Sequence, residues 1–408
     1  MRELFAIPGM RLYFLGNSLS GIGDYALWLA AGIWVRELTG STAQAGLCFL
    51  CLVAGTLLSP LTGIVVDRVR RRPLIMATNA ATGLLVLTLT AVHRAGQVWL
   101  VFGVMFLYGL SSSITGSAMS ALLPKLVPER LLGSANGFSQ ALGQGQRLIT
   151  PALGVGLLSV AGGGAVAVLD AVSFAAGTVC WAFITIEEDR PEPSGTRWVR
   201  DTAAGFAYLS RTPLLRQLTA AMTVAFFVMG FFETLGIAIA TTGLRHAPSW
   251  TGVIVTAMGV TGIIGGLSAG AVMNRVGPGR LSALGLGFAA VAALVDGVPR
   301  DAVVIAGAML LGLGIPYIVV GTMTAMQLNT PNELMGRVSG ADNFLVTGGQ
   351  SVGIATGAGL ISFVYYRDLC YLVAGVLALT AGYLLTRRAQ RPGPVAAAVA
   401  PAAPAVEG

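Results

Sequence analysis

Residues 44–72 read QAGLCFLCLVAGTLLSPLTGIVVDRVRRR, and this stretch decides the class of fold. No charged side chain occurs in residues 44–66. A helix of roughly 20 apolar residues crosses the hydrocarbon core of a bilayer, and only a helix satisfies its own backbone groups there. One aspartate and four arginines follow within residues 67–72. Arginine collects on the cytoplasmic side of membranes, so the stretch predicts a transmembrane helix with a cytoplasmic end near Asp67.

The same apolar pattern recurs along the whole chain. Of its 408 residues, 55% are hydrophobic and only 11% are charged, whereas soluble proteins carry about 25% charged residues. We therefore predict an all-α membrane protein with twelve transmembrane helices. The predicted spans are 12–35, 44–66, 73–92, 97–120, 138–161, 164–185, 214–240, 250–273, 281–297, 302–325, 340–363 and 368–386.

The basic residues predict the orientation of these spans. Nineteen of the 25 lysine and arginine residues fall on the side that holds both termini, and five fall on the other side. Basic residues are retained on the cytoplasmic side, so both termini are expected in the cytoplasm. The net charge of +7 is spread over short loops. It is therefore interpreted as an orientation signal, and nucleic acid is not expected as a partner.

The two halves of the chain resemble each other. Residues 63–69 (GIVVDRV) match residues 270–276 (GAVMNRV) at an offset of 207. Residues 128–137 match 331–340 in one proline, one leucine and two glycines, at an offset of 203. Gly154 to Leu157 repeats at the same offset. Two related six-helix halves in parallel orientation are typical of a large class of secondary transporters.

Four segments are expected on this basis. Residues 1–186 form an N-terminal six-helix bundle, and residues 214–390 form a pseudo-symmetric C-terminal one. Residues 187–213 are a cytoplasmic linker in which Trp198, Thr202, Phe206 and Leu209 recur at helical spacing, predicting an amphipathic helix on the membrane surface. Residues 391–408 are rich in alanine and proline and are expected to be disordered.

The loop after the second span resembles the signature of the major facilitator superfamily. The resemblance rests on Gly63, Asp67, Arg68, Arg71 and Arg72, and it covers essentially the whole chain. Arg70 stands where that family usually has a glycine. The residues LSGIGD at 19–24, PxxLxGxANG at 128–137 and LDAxSF at 169–174 are similar to the bacterial branch of siderophore exporters and macrolide-efflux-type proteins. This resemblance implies a bacterial inner-membrane transporter that works as a monomer by alternating access.

The same loop has a physical interpretation as a gate. A glycine lets two helices approach closely, and an aspartate can accept hydrogen bonds at a neighbouring helix N-terminus. Such a cluster would hold the cytoplasmic side shut in one state and separate in the other. The alternative is that the arginines are only an orientation signal. The expected gate residues are Gly63, Asp67, Arg68, Arg71, Arg72, Glu129 and Asp342.

Three charged residues lie inside predicted spans. Asp24 is in the middle of the first span, and Glu233 occupies an equivalent place in the seventh. Charges at membrane depth are costly, and they usually face a cavity or pair with each other. The resemblance implies that both residues border a central cavity, and we predict that they carry protons there, with Arg147 as a counter-ion for Asp24. A permanent structural pair of Asp24 and Arg147 is the alternative, and Asp170 is interpreted as structural.

The fifth span contains a proline and two glycines, Pro151, Gly154 and Gly156. Proline kinks a helix, and glycines keep it narrow against its neighbour. The pattern weakly resembles the Gly/Pro-rich element of facilitator-type antiporters, several of whose glycines are missing here. It favours export over import.

Three functions were compared. A proton-driven exporter of a hydrophobic or amphipathic small molecule, such as an antibiotic or a siderophore, fits the chain best. A proton-coupled importer of a nutrient is the alternative, although importers of sugars or anions usually show more polar spans. An enzyme is not expected, because the sequence shows no metal-ligand cluster, nucleophile–base pair or phosphate loop. No cofactor is expected; the proton gradient is the predicted energy source.

The topology is directly testable. Reporter fusions or cysteine labelling should place residues 187–213 and both termini in the cytoplasm, because the basic residues concentrate there. The matched controls are the substitutions Arg94→Cys and Arg300→Cys, in predicted outer loops. Both cysteines should be labelled from outside. A terminus accessible from outside would contradict the twelve-span prediction.

Overall fold

The structure, a computed structural model, describes residues 1–186, 188, 198–247, 250–361 and 363–387, without the side chains of 198–201 and 233–234. No strand occurs in these ranges. The helices are α1 Arg2–Ala6, α2 Met10–Thr39, α3 Thr42–Thr56, α4 Ser59–Arg68, α5 Arg71–Leu87, α6 Val98–Leu126, α7 Glu129–Ala182, α8 Trp198–Arg211, α9 Pro213–Ala238, α10 Thr251–Val276, α11 Pro278–Asp296, α12 Asp301–Asn329, α13 Met335–Leu360 and α14 Tyr366–Thr386.

These helices make twelve membrane crossings. Eight helices are long and apolar enough to span a bilayer, and α3 with α4 forms a ninth span that is bent by 43°. The 54 residues of α7 are too long for one crossing. Gly162 breaks α7 with a φ of 77°, a left-handed conformation that suits glycine. The helix therefore contributes two spans, 129–161 and 163–182.

The last two crossings are α2 and α13, which have 30 and 26 residues. Both are long enough to span the bilayer, but they are more polar than the other spans. They occupy the first and eleventh of the twelve positions. The predicted all-α fold with twelve transmembrane helices is confirmed for the part of the chain that the structure describes.

Each half has its own apolar core. The N-terminal half contains two buried clusters, around Trp34 and Met105 and around Trp181 and Leu122. In the C-terminal half, the largest cluster joins α9, α11, α12, α13 and α14. The two halves meet mainly through α4 with α13 and through α7 with α10. These two interhelical contacts are named the α4–α13 seam and the α7–α10 seam.

The seams depend on glycines that allow backbones to touch. A Cβ added at Gly63 would overlap the carbonyl of Gly336, and one at Gly340 would overlap that of Ser59. In the other seam, a Cβ at Gly137 would overlap the carbonyl of Gly266. Interfaces of membrane helices favour such small residues, because lipid provides no hydrophobic drive between helices. Any larger side chain at these positions would push the halves apart.

The two seams are images of each other under the internal repeat. The offset of 207 relates Gly63 to Gly270, and the offset of 203 relates Gly133 to Gly336. Gly63 packs on Gly336, and Gly133 lies near the Cα of Gly270, with 3.6 Å between that Cα and a Cβ built at Gly133. The repeat therefore describes both the similarity of the halves and the way they join. Both seams lie at the end of the molecule that holds the α4–α5 loop, named here the loop end.

The linker contributes a helix to the loop end. Because Gly205 has no side chain, the backbone of α8 can contact the backbone of Arg337 in α13. The Tyr208 hydroxyl donates to the carbonyl of Asn329 at 2.6 Å, and the rings of Phe206 and Phe344 are 5.9 Å apart. The apolar side of α8 thus packs on α13, and its position on the membrane surface stays a prediction. Residues 187, 189–197 and 391–408 lie outside the described residues.

Gly340→Val tests the α4–α13 seam. Overpacking costs about 1–3 kcal/mol, so we expect roughly a tenfold population shift away from the closed loop end. Spin labels at exposed Arg70 and Glu333 should report longer distances in the variant. Gly359→Val is the matched control, because nothing lies within 4 Å of a Cβ at this α13 position. Equal distances in both variants would contradict the proposed role of the glycine contact.

Candidate functional site

Asp67 lies in the centre of the α4–α13 seam. Its carboxylate accepts hydrogen bonds from the backbone N–H groups of Gly336 at 2.7 Å and Arg337 at 3.0 Å. These groups belong to the first turn of α13, where free N–H groups and the helix dipole favour a negative charge. The guanidinium groups of Arg337 and Arg71 approach the same carboxylate to 3.6 and 3.9 Å. Asp67 therefore binds the first half to the second.

Arg71 and Arg72 have different partners. The Arg71 side chain donates to the carbonyl of Asn332 at 2.6 Å, which is a second bond between the halves. The Arg72 side chain donates to the carbonyls of Trp181 and Ala182, at 3.0 and 2.7 Å, within its own half. The Glu188 carboxylate accepts hydrogen bonds from the backbone N–H groups of Arg71 and Arg72, the first two residues of α5, at 2.6 and 2.9 Å. Arg72 and Glu188 therefore hold α5 to the end of α7.

Two predicted gate residues lie apart from Asp67. Glu129 is exposed at the start of α7 and has no hydrogen bond or ion pair among the described residues. Asp342 is buried and accepts from the Thr219 hydroxyl at 2.7 Å, so it connects α13 to α9. Arg68 is the last residue of α4 and lies next to the cluster in sequence. The sequence did not identify Asn332 as the partner of Arg71, or Gly336 and Arg337 as the partners of Asp67. The internal repeat had marked only Gly336, as the equivalent of Gly133.

The seams are asymmetric in charge. Asn274 takes the place of Asp67 in the second half, at the end of α10, and it is exposed. A neutral cluster instead joins α7 to α12: the Asn136 side-chain amide donates to Thr324 at 2.8 Å and to Gln327 at 2.7 Å. The ionic contacts that join the described halves at Asp67 thus have no counterpart at Asn274.

A cavity of about 530 Å³ lies between the halves, beyond the seams. Most of its wall is apolar, with Met222, Phe226 and Val346 among the lining residues. Many of the lining residues are nonetheless polar, among them Asp342 and Gln350. A second cavity of about 330 Å³ enters the N-terminal half and is lined by Asp24, Tyr25, Trp28, Tyr108 and Arg147 among others. Arg147 lines both cavities.

Asp24 belongs to a buried chain of polar groups. The Tyr108 hydroxyl donates to the Asp24 carboxylate and lies 3.5 Å from Oδ1 of Asp170. Asp170 is fully buried, and its Oδ2 atom has no hydrogen-bond partner among the described residues. Gly23 permits this arrangement, because a Cβ there would overlap Oδ1 of Asp170. One hydroxyl therefore connects two carboxylates at membrane depth, a link that the spacing of the residues in sequence did not indicate.

A polar cavity of about 270 Å³ adjoins this chain within the N-terminal half. Asn17, Ser20, Asn79 and Ser111 are among its lining residues, together with Asp24 and Tyr108. Asn17 and Ser111 lie on the loop-end side of Asp24 and Tyr108 in their helices. Asp24 and Tyr108 thus line both this polar cavity and the 330 Å³ cavity.

The other predicted cavity residues have distinct positions. Arg147 is exposed to the cavity and forms no ion pair with Asp24 among the described residues. Glu233 lies in α9, but its side chain is outside the described residues. Gly154 packs on the backbone of Ala26, whereas a Cβ at Gly156 would meet nothing within 4 Å. Pro151 lies inside α7. Only Gly154 of this group makes a close interhelical contact.

The described residues contain no group of three or more His, Cys, Asp or Glu side chains that could hold a metal ion. The four cysteines are free thiols. Their positions within α3, α7 and α14 agree with packing of small apolar side chains.

Comparisons with known proteins agree with this geometry. The sequence profile of the Major Facilitator Superfamily matches residues 13–354. Macrolide efflux protein A of Streptococcus pyogenes is 25% identical over 363 residues, which cover 86% of this chain and 88% of that protein. Enterobactin exporter EntS of Shigella flexneri is 25% identical over 404 residues, which cover 96% and 95%.

Solved structures share the fold. A bacterial homologue of the iron transporter ferroportin, in an outward-facing state, superposes with a TM-score of 0.76 at 17% identity, covering 92% of this chain and 98% of that one. The human organic anion transporter MFSD10 (TETRAN) gives 0.76 at 15% identity, with the same coverage. The family match spans most of the chain, and both relatives cover nearly all of it. The chain is therefore a member of the Major Facilitator Superfamily, a multi-pass membrane transporter and not an enzyme.

Proposed function

We propose that this transporter exports a hydrophobic or amphipathic small molecule in exchange for protons. The observation that supports this most is the cavity between the halves, which is lined by both apolar and polar side chains. Its lining residues Tyr25 and Arg147 also line the cavity at Asp24. A concave site with apolar surface and placed polar groups suits an amphipathic small molecule. The two bacterial relatives are named for macrolide efflux and enterobactin export, which favours export.

Coupling to protons is proposed to occur at Asp24. Two carboxylates joined by one hydroxyl at membrane depth repel each other when both are charged, so the group is suited to hold a proton. A substrate entering the cavity lined by Asp24 would change the surroundings of this carboxylate. The polar cavity on its other side offers hydrated groups toward the loop end. The substrate and the proton would thus compete for one residue, so that binding of substrate favours release of the proton.

The loop-end contacts supply the alternating step. In the structure both seams are closed, and the large cavity lies beyond them. If the loop end is cytoplasmic, as the basic residues predict, this is an outward-facing arrangement. Opening toward the cytoplasm would require loss of the Asp67 bonds to α13 and separation of both glycine seams. Packed interfaces of this kind switch between discrete states instead of deforming gradually.

Import of a nutrient is the competing function. Cells that express the chain should accumulate less of a fluorescent amphipathic dye than cells that express an Asp67→Asn, Asp24→Asn double variant. An importer would raise accumulation instead. The experiment decides direction without knowledge of the natural substrate.

Asp24→Asn tests coupling. In proteoliposomes with an imposed pH gradient, we expect at least a tenfold loss of gradient-driven dye transport, because the amide cannot carry the proton. Dye binding to the purified variant should remain measurable. Glu233→Gln is expected to uncouple transport in the same way, or to shift its pH optimum.

The control for this change is Asp301→Asn, which removes an exposed acid at the start of α12. It should transport as the wild type does. Gradient-dependent transport by both Asp24→Asn and Glu233→Gln at wild-type rates would show that the proton route lies elsewhere.

Asp67→Asn tests the gate. The amide keeps the shape of the side chain but loses charge-assisted hydrogen bonds, which are worth about 1.5–3 kcal/mol each. We expect normal membrane insertion with transport at least tenfold slower, measured in the same proteoliposomes.

The matched control is Glu3→Gln, which breaks an exposed ion pair with Arg130 at 2.6 Å. Exposed pairs contribute about 0–1 kcal/mol, so little change is expected. If Asp67→Asn transports as fast as Glu3→Gln, the bonds to α13 have no role in the cycle.

A further inference from the structure

A buried carboxylate in the C-terminal half has no role in the gate or in the Asp24 group. Asp296 is the last residue of α11 and is only 5% exposed. Its Oδ1 atom is buried without a hydrogen-bond partner among the described residues. Gly307 of α12 leaves room for it, since a Cβ there would lie 2.5 Å from that oxygen. An unpartnered carboxylate is among the most costly groups to bury. Because the described residues supply no partner for this oxygen, a bound cation would reduce that cost.

Asp296 lines a cavity of about 380 Å³. Phe226, Met229 and Phe232 of α9 and Ile254 of α10 also line this space. Aromatic faces attract cations, and most strongly where water is excluded. A carboxylate and aromatic rings that line one cavity are therefore complementary to a cation that also carries apolar groups.

The rest of the lining argues against an inorganic cation. Calcium takes six to eight oxygen ligands, and magnesium keeps several waters in an octahedral shell. Besides Asp296, the side-chain oxygens that the described residues place in this lining belong to Gln144, Thr251 and Gln350. An organic cation needs one counter-ion and little dehydration, so it matches this wall better.

Arg147 also lines the cavity, on the wall that α7 contributes. No ion pair joins it to Asp296 in the part of the chain that the structure describes. The two charges thus belong to different halves, and a bound cation would lie toward α11 and α12.

We propose that the Asp296 cavity is a binding site for lipophilic organic cations, with the carboxylate as counter-ion and the α9 aromatic rings as the apolar wall. The proposal rests on the proposed function, because it names the substrate class of the exporter. The test measures binding and not transport, so failure of the Asp296 site can be distinguished from failure of the proposed export function.

The test compares two probes of the same shape and opposite charge, tetraphenylphosphonium and tetraphenylborate. Their binding to the purified full chain in detergent is measured by equilibrium dialysis against protein-free micelles. We expect the wild type to prefer the cation. Asp296→Asn should reduce that preference about tenfold, and Asp296→Ser should do the same. Replacement of a buried carboxylate by a neutral group removes an unpaired charge, so folding is not threatened; size-exclusion profiles check this.

Asp301→Asn is the control, because it removes an exposed acid five residues away. It should keep the wild-type preference for the cation. The proposal is overturned if the wild type shows no preference, if both Asp296 variants keep it, or if Asp301→Asn loses it equally. In the last case the charge of the surface, and not the buried site, would determine binding.

Discussion

Backbone contact between glycine-bearing helices at the loop end is the constraint on which the arrangement of the two halves depends. Lipid offers no hydrophobic drive between helices, so van der Waals packing and polar contacts must hold the halves together. Gly63 against Gly336, and Gly137 against Gly266, bring main chains to touching distance. Such contacts are lost over a small separation, because dispersion attraction falls steeply with distance. A joint of this kind is either closed or open, which is the property that alternating access requires.

The repeat determines the shape of both seams but not their electrostatics. Asp67 binds the first turn of α13 with two backbone hydrogen bonds and two nearby guanidinium groups. The equivalent Asn274 is exposed, and the polar bonds that α7 makes to the second half join neutral amide and hydroxyl groups of α7 and α12. The two seams are therefore expected to differ in strength and in their response to salt, since only one depends on charge.

Several acidic side chains lie inside the transmembrane helices, where their burial reduces the stability of the fold. The spans α2 and α13 are more polar than the other transmembrane helices. They contribute Asp24 and Asp342 to the walls of cavities. Asp170 and Asp296 are buried with an oxygen that lacks a partner among the described residues. Each placement carries a cost in a low-dielectric interior. In the N-terminal half the Tyr108 hydroxyl lies between two carboxylates. In the C-terminal half Asp296 shares a cavity with aromatic side chains, so the two cavities differ in chemistry.

The sequence by itself determined the class of fold, the twelve spans and the relation between the halves. Each depends on local apolar length or on repeated spacing, and the bilayer imposes these along the chain. The partners of individual polar residues were decided only by tertiary structure. The loop motif after the second span predicted Asp67 as a gate residue. Its bonds to Gly336 and Arg337, however, join residues that are 269 and 270 positions apart in the chain. Asp342 was expected beside Asp67 and instead binds Thr219, and Asp170 was interpreted as structural and lies beside Tyr108. Hydropathy reports how deep a residue lies in the membrane, whereas its neighbours depend on the rotation of each helix about its own axis, which only packing determines.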